Sequence, residues 1–497
     1  MVSEPLDHAA KPRADIPSST VTTWPIVLLC MIPAVAYYAI LICGNYGDFL
    51  RTPNMAGPSL FSPVNYGLTL NSMLLHLLDG SFDIDPQAIG LEGVQHNGRT
   101  YAYFGIVIAL IRLLFLFARD FATTDYTRLS CLVAVSIMGS FNLASLLTVW
   151  RAVGRPHTWP LFVLMILGVL FSGAQIQFLM ASLWQEVCLW AAAFAAIFGY
   201  LIIRGYYLAR GFTPLLLTGL AGTAGLCLLT RVSTAAGLYA ALGLLIVALL
   251  ARAWRKSGSE PRLVGIVTPF LPALLVLVFF ILVAAGVNYG RWGNPFTFTG
   301  DIHSYPLATP AWLVRDAQYG NFNLIRMGYG LAYYFVPLWA MQGPDGGLLW
   351  SEFQQRTIHS VELPPASFFL SDPLLIGLAG FALFQLARHR EALDRGIAVS
   401  VFAGLLLPII LILSFSSMTF RYRLEFYPFL NLCAFLGLGA LLSRPRHVPL
   451  VPIAVAAVVG VVGSHMFWLL YALGRYGDAT ERLAGMDVIS FYRSFFQ

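Results

Sequence analysis

Charged residues are scarce in this chain of 497 residues, and their scarcity excludes an ordinary soluble protein. Only 11% of the residues are charged, whereas 58% are hydrophobic, and a soluble globular domain carries roughly 25% charged residues. Many apolar runs reach about 20 residues, the length that a helix needs to cross a bilayer. The composition therefore predicts a multi-pass membrane protein. Its fold is expected to be all-α, because backbone polar groups inside a bilayer need partners within their own segment.

Lysine and runs of basic residues are also nearly absent. Lysine occurs only at Lys11 and Lys256, and the formal charge of +6 comes from arginines spread over short loops. This pattern gives no indication of nucleic-acid binding. The few cysteines all lie in apolar segments, which favours small packed side chains over a disulfide framework or a metal site. They are Cys30, Cys43, Cys131, Cys188, Cys227 and Cys433.

The short arginine-containing loops predict the orientation in the membrane, because loops rich in Lys and Arg usually face the cytoplasm. The clearest of these loops are residues 151–157, 204–211, 251–262, 387–395 and 443–447. Two long segments between them, 45–128 and 288–370, are predicted to face outward. Residues 1–24 are predicted to be a disordered cytoplasmic tail and 474–497 an outward-facing tail. The transmembrane domain, 25–473, includes both outer segments.

Three apolar stretches in the outer segments are predicted to lie on the membrane surface rather than to cross it. Residues 102–118 are short and have Arg112 at their centre, and 327–340 are shorter still. Asn65–Asp79 has apolar residues at helical spacing. Without these stretches, the prediction is an all-α fold of about eleven spanning helices with outer-face juxtamembrane helices. The predicted spans are 25–44, 129–150, 158–175, 184–204, 213–229, 233–251, 264–287, 371–388, 396–417, 424–442 and 448–473.

One arginine lies inside an apolar stretch, residues 214–251, that is too long for a single membrane helix. A continuous helix of that length would extend about 57 Å, nearly twice the bilayer's hydrocarbon thickness of about 30 Å. The sequence GLCLLTRVSTAAGLYA is therefore predicted to break into two helices at Thr230–Ser233. The break would place Arg231 at the outer rim and avoid a charge at the bilayer centre, which costs about 2.5–3.5 kcal/mol on insertion scales.

Other charged and polar residues collect at the same rim, at the ends of the predicted spans. They are Asp48, Glu186, Arg291, His303, Arg421, Arg423 and Glu425. An ion-coupled transporter usually places such groups near the bilayer midplane, so the one-sided distribution favours a site for a molecule presented at the outer leaflet. Arginine at this site suits phosphate, because the guanidinium group donates paired hydrogen bonds to phosphate oxygens.

Four stretches resemble segments of the polytopic C-type glycosyltransferases, the GT-C superfamily. GLCLLTRVS resembles their "G-x-x-L-L-T-R" turn, and SLWQEVCLW resembles a helix start that bears an acidic residue. TFRYRLEFYPFL resembles a late "R-Y-x-x-x-x-x-P" helix start, and HNGRTYAYFG resembles an "N-G-R-x-Y-x-Y-F-G" segment of the first outer loop. The resemblance is to the superfamily rather than to one characterised enzyme.

The resemblance implies transfer of a sugar from a polyprenyl-phosphate donor to a glycan, lipid or protein acceptor at the outer face of a bacterial inner membrane. It implies a catalytic acidic residue in the first outer loop, which is the position of Asp48, although the usual Asp-Glu or Asp-Asp pair is absent. Asp83 and Asp85 in FDIDP are alternative acidic residues. A D-x-D pair is also typical of metal-binding glycosyltransferases, but loop aspartates more often mark a turn, so a divalent metal is not favoured.

The expected substrate contacts are the rim residues and one arginine of the outer segment. Arg231, with Arg421 or Arg423, is expected to hold the phosphate, and Glu186 is a candidate ion-pair partner for one of these arginines. The expected substrate-binding residues are Arg231, Arg421, Arg423, Arg99, Glu186 and His303. Two alternatives stay open: a flippase or transporter of a lipid-linked saccharide, which needs polar residues along a path through the membrane, and a non-catalytic partner in a cell-envelope complex.

Overall fold

The structure is a computed structural model, and part of the chain is left undescribed. The described residues are 23–43, 66–153, 159–208, 211–256, 263–298, 309–337, 340, 350–361, 367–388, 394–444 and 448–471. The predicted tails lie almost entirely outside these ranges, and so do residues 44–65 and 299–308.

Eleven helices of the described chain coincide with the predicted spans, so the predicted all-α membrane fold is confirmed. They are α1 (Thr23–Cys43), α2 (Thr127–Val153), α3 (Trp159–Phe171), α4 (Leu183–Tyr207), α5 (Pro214–Leu228), α6 (Val232–Lys256), α7 (Leu271–Trp292), α8 (Pro373–Arg388), α9 (Arg395–Ser414), α10 (Tyr427–Leu442) and α11 (Leu450–Tyr471). Eight spans among the described residues are long and apolar enough to cross a membrane. One of these eight consists of α3 and the adjoining helix Ala174–Gln177. The other three, α5, α8 and α10, are apolar helices of 15 or 16 residues.

The break between α5 and α6 lies where the chain length requires it. Helix α5 ends at Leu228 and α6 begins at Val232. Thr213 begins α5 as an N-cap, since its side chain accepts a hydrogen bond from the amide of Leu216, and Pro214 follows at the first helical position. The predicted break into two helices is confirmed, but it lies at Leu229–Arg231, because Val232 and Ser233 already belong to α6.

Glycine allows the long helices to approach closely inside the bundle. A Cβ atom on Gly404 of α9 would overlap the backbone of Ala241 in α6, and a Cβ atom on Gly237 of α6 would overlap the ring of Pro408. Small residues have the same function at helix contacts in other membrane proteins, where packing and not the hydrophobic effect holds helices together. This contact fixes α6, which follows the Arg231 turn, against α9.

Short elements connect the eleven helices or extend their ends. The short α-helices are Thr69–Leu78, Pro86–Ile89, Val107–Ile111, Ala174–Gln177, Leu263–Val267, Pro310–Tyr319, Met327–Phe335, Ser351–Thr357 and Phe368–Ser371. The 3-10 helices are Tyr66–Leu68, Gly90–Glu92, Arg112–Phe115, Phe121–Thr123, Thr268–Phe270, Leu324–Arg326 and Phe420–Glu425. Strand Val94–His96 pairs antiparallel with Arg99–Tyr101, and Ser360–Val361 pairs parallel with Ser417–Met418. The stretches predicted as surface helices are therefore helical only in part: 102–118 contains two short turns, and its Arg112 is buried rather than exposed at the interface.

Candidate functional site

A cavity of about 250 Å³ opens at one end of the bundle, where several spans begin or end. Its walls are the start of α4, the turn between α5 and α6, the ends of α7 and α9, and the 3-10 helix Phe420–Glu425. Residues 103–106 of the first outer segment and Phe298 and Phe322 of the second also line the cavity. Three arginines line the cavity, namely Arg231, Arg291 and Arg421.

The outer segment reaches the cavity through a tight hairpin and a close backbone contact. Asn97 and Gly98 both have positive φ, 49° and 75°, as a two-residue hairpin turn requires. Two residues beyond the HNGRTYAYFG motif, the amide of Val107 donates a hydrogen bond to the carbonyl of Leu229 at 3.0 Å. A Cβ atom on Gly105 would overlap that carbonyl oxygen, so the final glycine of HNGRTYAYFG allows the segment to pack on the Arg231 turn.

Glu425 holds Arg231 in place. The carboxylate of Glu425 accepts hydrogen bonds from Nε of Arg231, from the hydroxyl of Ser233 at 2.6 Å and from the hydroxyl of Thr234 at 2.6 Å. Glu425 is buried, whereas the Arg231 side chain is 19% exposed. The terminal nitrogens of Arg231 make no hydrogen bond to any residue that the structure describes. Glu425 therefore orients the guanidinium group through Nε and leaves its two terminal nitrogens available to a ligand.

Aromatic rings hold Arg231 and Arg421 at one wall. The guanidinium carbons of Arg231 and Arg421 lie 5.1 Å and 5.4 Å from the centroid of the Tyr422 ring, and that of Arg421 lies 5.8 Å from the Trp184 ring. These distances are within the range of cation–π attraction. The Tyr422 ring thus contacts both guanidinium groups and keeps them near the cavity.

Arg291, which the sequence placed at the rim without assigning it a role, contributes the third charge. One terminal nitrogen donates to the carbonyl of Phe104 at 2.9 Å, and Nε is buried without a partner among the described residues. No carboxylate of the described chain pairs with Arg291, and none lines the cavity. Three arginines and no carboxylate are among the described lining residues, so this part of the cavity wall attracts anions.

Arg423 does not line this cavity, although it is only two residues from Arg421. Its terminal nitrogens donate to Gln177 Oε1 at 2.7 Å and to Ser371 Oγ at 2.7 Å, and one lies 3.3 Å from Asp372 Oδ2. The side chain is fully buried. Of the two arginines considered for the phosphate, the structure places Arg421 at the cavity and Arg423 in a separate buried network.

Glu186 pairs with Arg112 and not with an arginine of the rim, which corrects that expectation. The two carboxylate oxygens accept hydrogen bonds from one terminal nitrogen of Arg112 at 3.0 and 2.8 Å. Both side chains are almost fully buried, and Arg112 also donates to Asn71. The pair joins the start of α4 to the outer segment 66–126, so Glu186 supports the wall of the cavity without lining it.

Asp83, Asp85 and Arg99 form a cluster around His76. Asp83 Oδ1 lies 2.8 Å from His76 Nδ1, Asp85 Oδ1 lies 3.4 Å from His76 Nε2, and Arg99 lies 3.4 Å from Asp83. The imidazole ring therefore separates the two carboxylates that a D-x-D metal site would bring together. Among the described residues, no group of three or more His, Cys, Asp or Glu side chains has the arrangement of a metal site.

Replacing His76 with Gln is expected to cost stability mainly at low pH. Partial burial acts to lower the pKa of His76, but the hydrogen bond to Asp83 and the charges of Asp85 and Asp83 raise it above 6.5. A raised pKa means that the protonated ring stabilises the fold below about pH 6.5, and that this stability is lost as the pH rises through the folded-state pKa. Thermal unfolding should show a larger wild-type advantage at pH 6 than at pH 8.5. The difference in unfolding temperature between wild type and His76→Gln should become smaller when both proteins also carry Asp83→Asn. An equal difference at pH 6 and pH 8.5 would contradict a raised pKa of His76.

Two predicted site residues, Asp48 and His303, lie outside the described residues, so the structure does not place them. The first of these undescribed segments returns to the described chain at Tyr66, whose ring centroid is 5.1 Å from that of Trp184 in the cavity wall.

No protein-family model matches the chain, and no curated protein matches it. Among solved structures, the Archaeoglobus fulgidus oligosaccharyltransferase in the apo form is 11% identical, with a TM-score of 0.45, over 94% of this chain and 60% of that one. The archaeal oligosaccharyltransferase AglB from the same organism, in complex with an inhibitory peptide and a dolichol-phosphate, is 12% identical with a TM-score of 0.41, over 93% and 59%. ArnT from Cupriavidus metallidurans, bound to undecaprenyl phosphate, is 13% identical with a TM-score of 0.38, over 94% and 73%.

The chain spans about three fifths of the length of the oligosaccharyltransferase.

Proposed function

We propose that the protein transfers a sugar from a polyprenyl-phosphate donor to an acceptor at the outer face of a bacterial inner membrane. The observation that carries this proposal is the arginine-lined cavity at one end of a membrane bundle. Three guanidinium groups face a space without a carboxylate among its described lining residues, and Arg231 presents an unpaired edge to it. Such a site suits a phosphate group.

The cavity also suits the hydrocarbon part of a lipid donor. Beside the arginines, its lining includes Leu228, Leu229, Val287, Leu411 and Ile412. These residues come from the ends of spanning helices, where the hydrocarbon region of a bilayer meets the headgroups. A polyprenyl phosphate can therefore place its anionic group against the arginines while its chain follows the apolar helix ends. The arginine-rich loops at the opposite ends of the spans support the outward orientation.

In the proposed reaction, Asp48 accepts the proton of the acceptor hydroxyl, and the oxygen attacks the anomeric carbon of the sugar. The bond between that carbon and the phosphate oxygen breaks, and polyprenyl phosphate leaves. General-base assistance of this kind contributes roughly 10²–10⁴-fold to a rate. Arg231 and Arg421 stabilise the charge that develops on the leaving phosphate. Asp83 and Asp85 are the alternative carboxylates for the base.

Glu425, Glu186 and Arg99 have supporting roles in this proposal. Glu425 orients Arg231 through Nε, and Glu186 positions the outer segment through Arg112. Arg99 is well exposed at the hairpin, where it would contact an acceptor rather than the phosphate. His303 is proposed as a further contact from the second outer segment.

The direct test is a transfer assay with purified protein in detergent. A panel of radiolabelled polyprenyl-phosphate sugars is incubated with acceptors extracted from cell envelopes, and release of polyprenyl phosphate is followed. Release is expected for the cognate donor, and it should fall at least about 100-fold in Asp48→Asn, the size of a lost general base. Arg252→Ala, which alters an exposed ion pair at the far end of α6, serves as the control. Saccharide counterflow that occurs only in sealed vesicles, without release of polyprenyl phosphate, would show a transporter and contradict the proposal.

A further inference from the structure

A second cavity, of about 70 Å³, lies among α2, α3, α8 and α10, and three amide side chains that line it make no hydrogen bond to the described residues. Asn142 lies near the middle of α2, Gln175 lies in the short helix after α3, and Asn431 lies one turn into α10. Both side-chain atoms of Gln175 are buried and unbonded. Neither asparagine makes a side-chain hydrogen bond to a residue that the structure describes. Three amides therefore face one space with unused donors and acceptors.

This cavity differs from the arginine-lined one in its charge. No Lys or Arg is among its described lining residues, and its one carboxylate, Asp372, is already bonded. Asp372 accepts hydrogen bonds from Tyr427 at 3.0 Å and from Gln177 at 3.1 Å, and it pairs with Arg423. The ion pair leaves the cavity without net charge. A neutral group that both donates and accepts hydrogen bonds matches it, whereas a phosphate does not.

The cavity is open, and its border is apolar. Val169 of α3 and Leu374, Leu375 and Leu378 of α8 line it, and each is partly exposed. These residues belong to two apolar helices that coincide with predicted spans, so we expect the opening to face the hydrocarbon of the bilayer. An unpartnered amide in such surroundings is costly, because nothing there replaces its hydrogen bonds with water. A ligand that enters from the bilayer therefore needs an apolar body and a hydrogen-bonding head.

We propose that this cavity binds an uncharged lipid through a free hydroxyl group. The hydroxyl inserts between Asn142, Gln175 and Asn431, donates to one amide oxygen and accepts from an amide nitrogen. The acyl chains lie along α3 and α8. The site is separate from the arginine-lined cavity and does not depend on the proposed sugar transfer, since different residues line the two spaces.

The test compares lipids that differ at one group, with the full-length protein in detergent. Binding is measured by native mass spectrometry and by thermal unfolding with 1,2-dioleoylglycerol, with its 3-acetyl ester, which lacks the hydroxyl, and with dioleoyl phosphatidic acid, which carries a phosphate. Dioleoylglycerol is expected to bind and to raise the Tm. The other two should bind at least about tenfold more weakly, the factor that 1.4 kcal/mol of lost hydrogen bonding produces.

Two variants locate the binding. Gln175→Leu and Asn431→Leu each remove an amide, and each should weaken the binding of dioleoylglycerol about tenfold. The second variant keeps the test available if the first does not fold. Arg231→Ala should leave the binding of dioleoylglycerol unchanged while it weakens the binding of undecaprenyl phosphate. This difference separates the present proposal from the proposed function. The proposal is overturned if dioleoylglycerol and its acetyl ester bind equally well, if binding is unchanged in both amide variants, or if the cavity contains only water.

Discussion

Replacing Arg231 with alanine is expected to weaken the binding of undecaprenyl phosphate by roughly 10–100-fold. A hydrogen bond to a charged group contributes about 1.5–3 kcal/mol, and 1.4 kcal/mol corresponds to a factor of ten in affinity. The effect should be large because Glu425 pre-orients the guanidinium and Tyr422 supports it, so little ordering is left for the ligand to impose. Titration in detergent, followed by native mass spectrometry, measures the change.

Undecaprenol is the matched control ligand, since it has the same chain without the phosphate. It should bind weakly to wild type and equally weakly to the variant, which would assign the lost affinity to the phosphate. Arg421→Ala should act in the same direction, Arg231→Lys should give an intermediate loss, and Arg252→Ala should have no effect. If Arg231→Ala binds undecaprenyl phosphate as tightly as wild type while it unfolds at the same temperature, Arg231 does not contact the phosphate.

Replacing Arg112 with methionine is expected to lower the free energy of unfolding by about 3–5 kcal/mol, because it leaves the buried Glu186 carboxylate without its partner. The side chains of this pair are only 1% and 0% exposed. The Arg252–Asp394 pair, whose side chains are 45% and 34% exposed, is the matched control, and its loss should cost at most about 1 kcal/mol. Unfolding in mixed micelles of dodecyl sulfate and dodecyl maltoside gives both values.

A double variant tests whether the penalty comes from the unpaired charge. Arg112→Met combined with Glu186→Leu removes both charges, and replacing a buried pair with apolar residues is often nearly neutral. The double variant should therefore recover much of the stability that Arg112→Met loses. A cost for Arg112→Met no larger than that of Arg252→Ala would show that the buried pair does not hold the outer segment on α4.

The spans and the Arg231 turn were predictable from sequence because they depend on chain length and hydrophobicity alone. A stretch of 38 residues, 214–251, is too long for one crossing, so a break was necessary wherever the fold placed it. The hairpin at Asn97–Gly98 is also a local feature, since an Asn-Gly pair favours positive φ at both positions. Local geometry decided these parts of the site.

The partners of the charged residues were not predictable, because they depend on tertiary contacts. Arg112 and Glu186 are 74 residues apart, and only the path of the outer segment brings them together. Arg421 and Arg423 lie in a 3-10 helix, Phe420–Glu425, where three residues complete a turn, so neighbours two apart point in different directions. The sequence does not show which of the two faces the cavity. The convergence of Asn142, Gln175 and Asn431 on one cavity has no local signal either.

The most direct test of the account is an experimental structure of the protein with undecaprenyl phosphate, determined by cryo-electron microscopy in a lipid nanodisc. The account predicts density for the phosphate group within hydrogen-bonding distance of the terminal nitrogens of Arg231 and Arg421, with the polyprenyl chain leaving between the ends of α7 and α9. Phosphate density elsewhere on the protein, with the arginine-lined cavity empty, would contradict it.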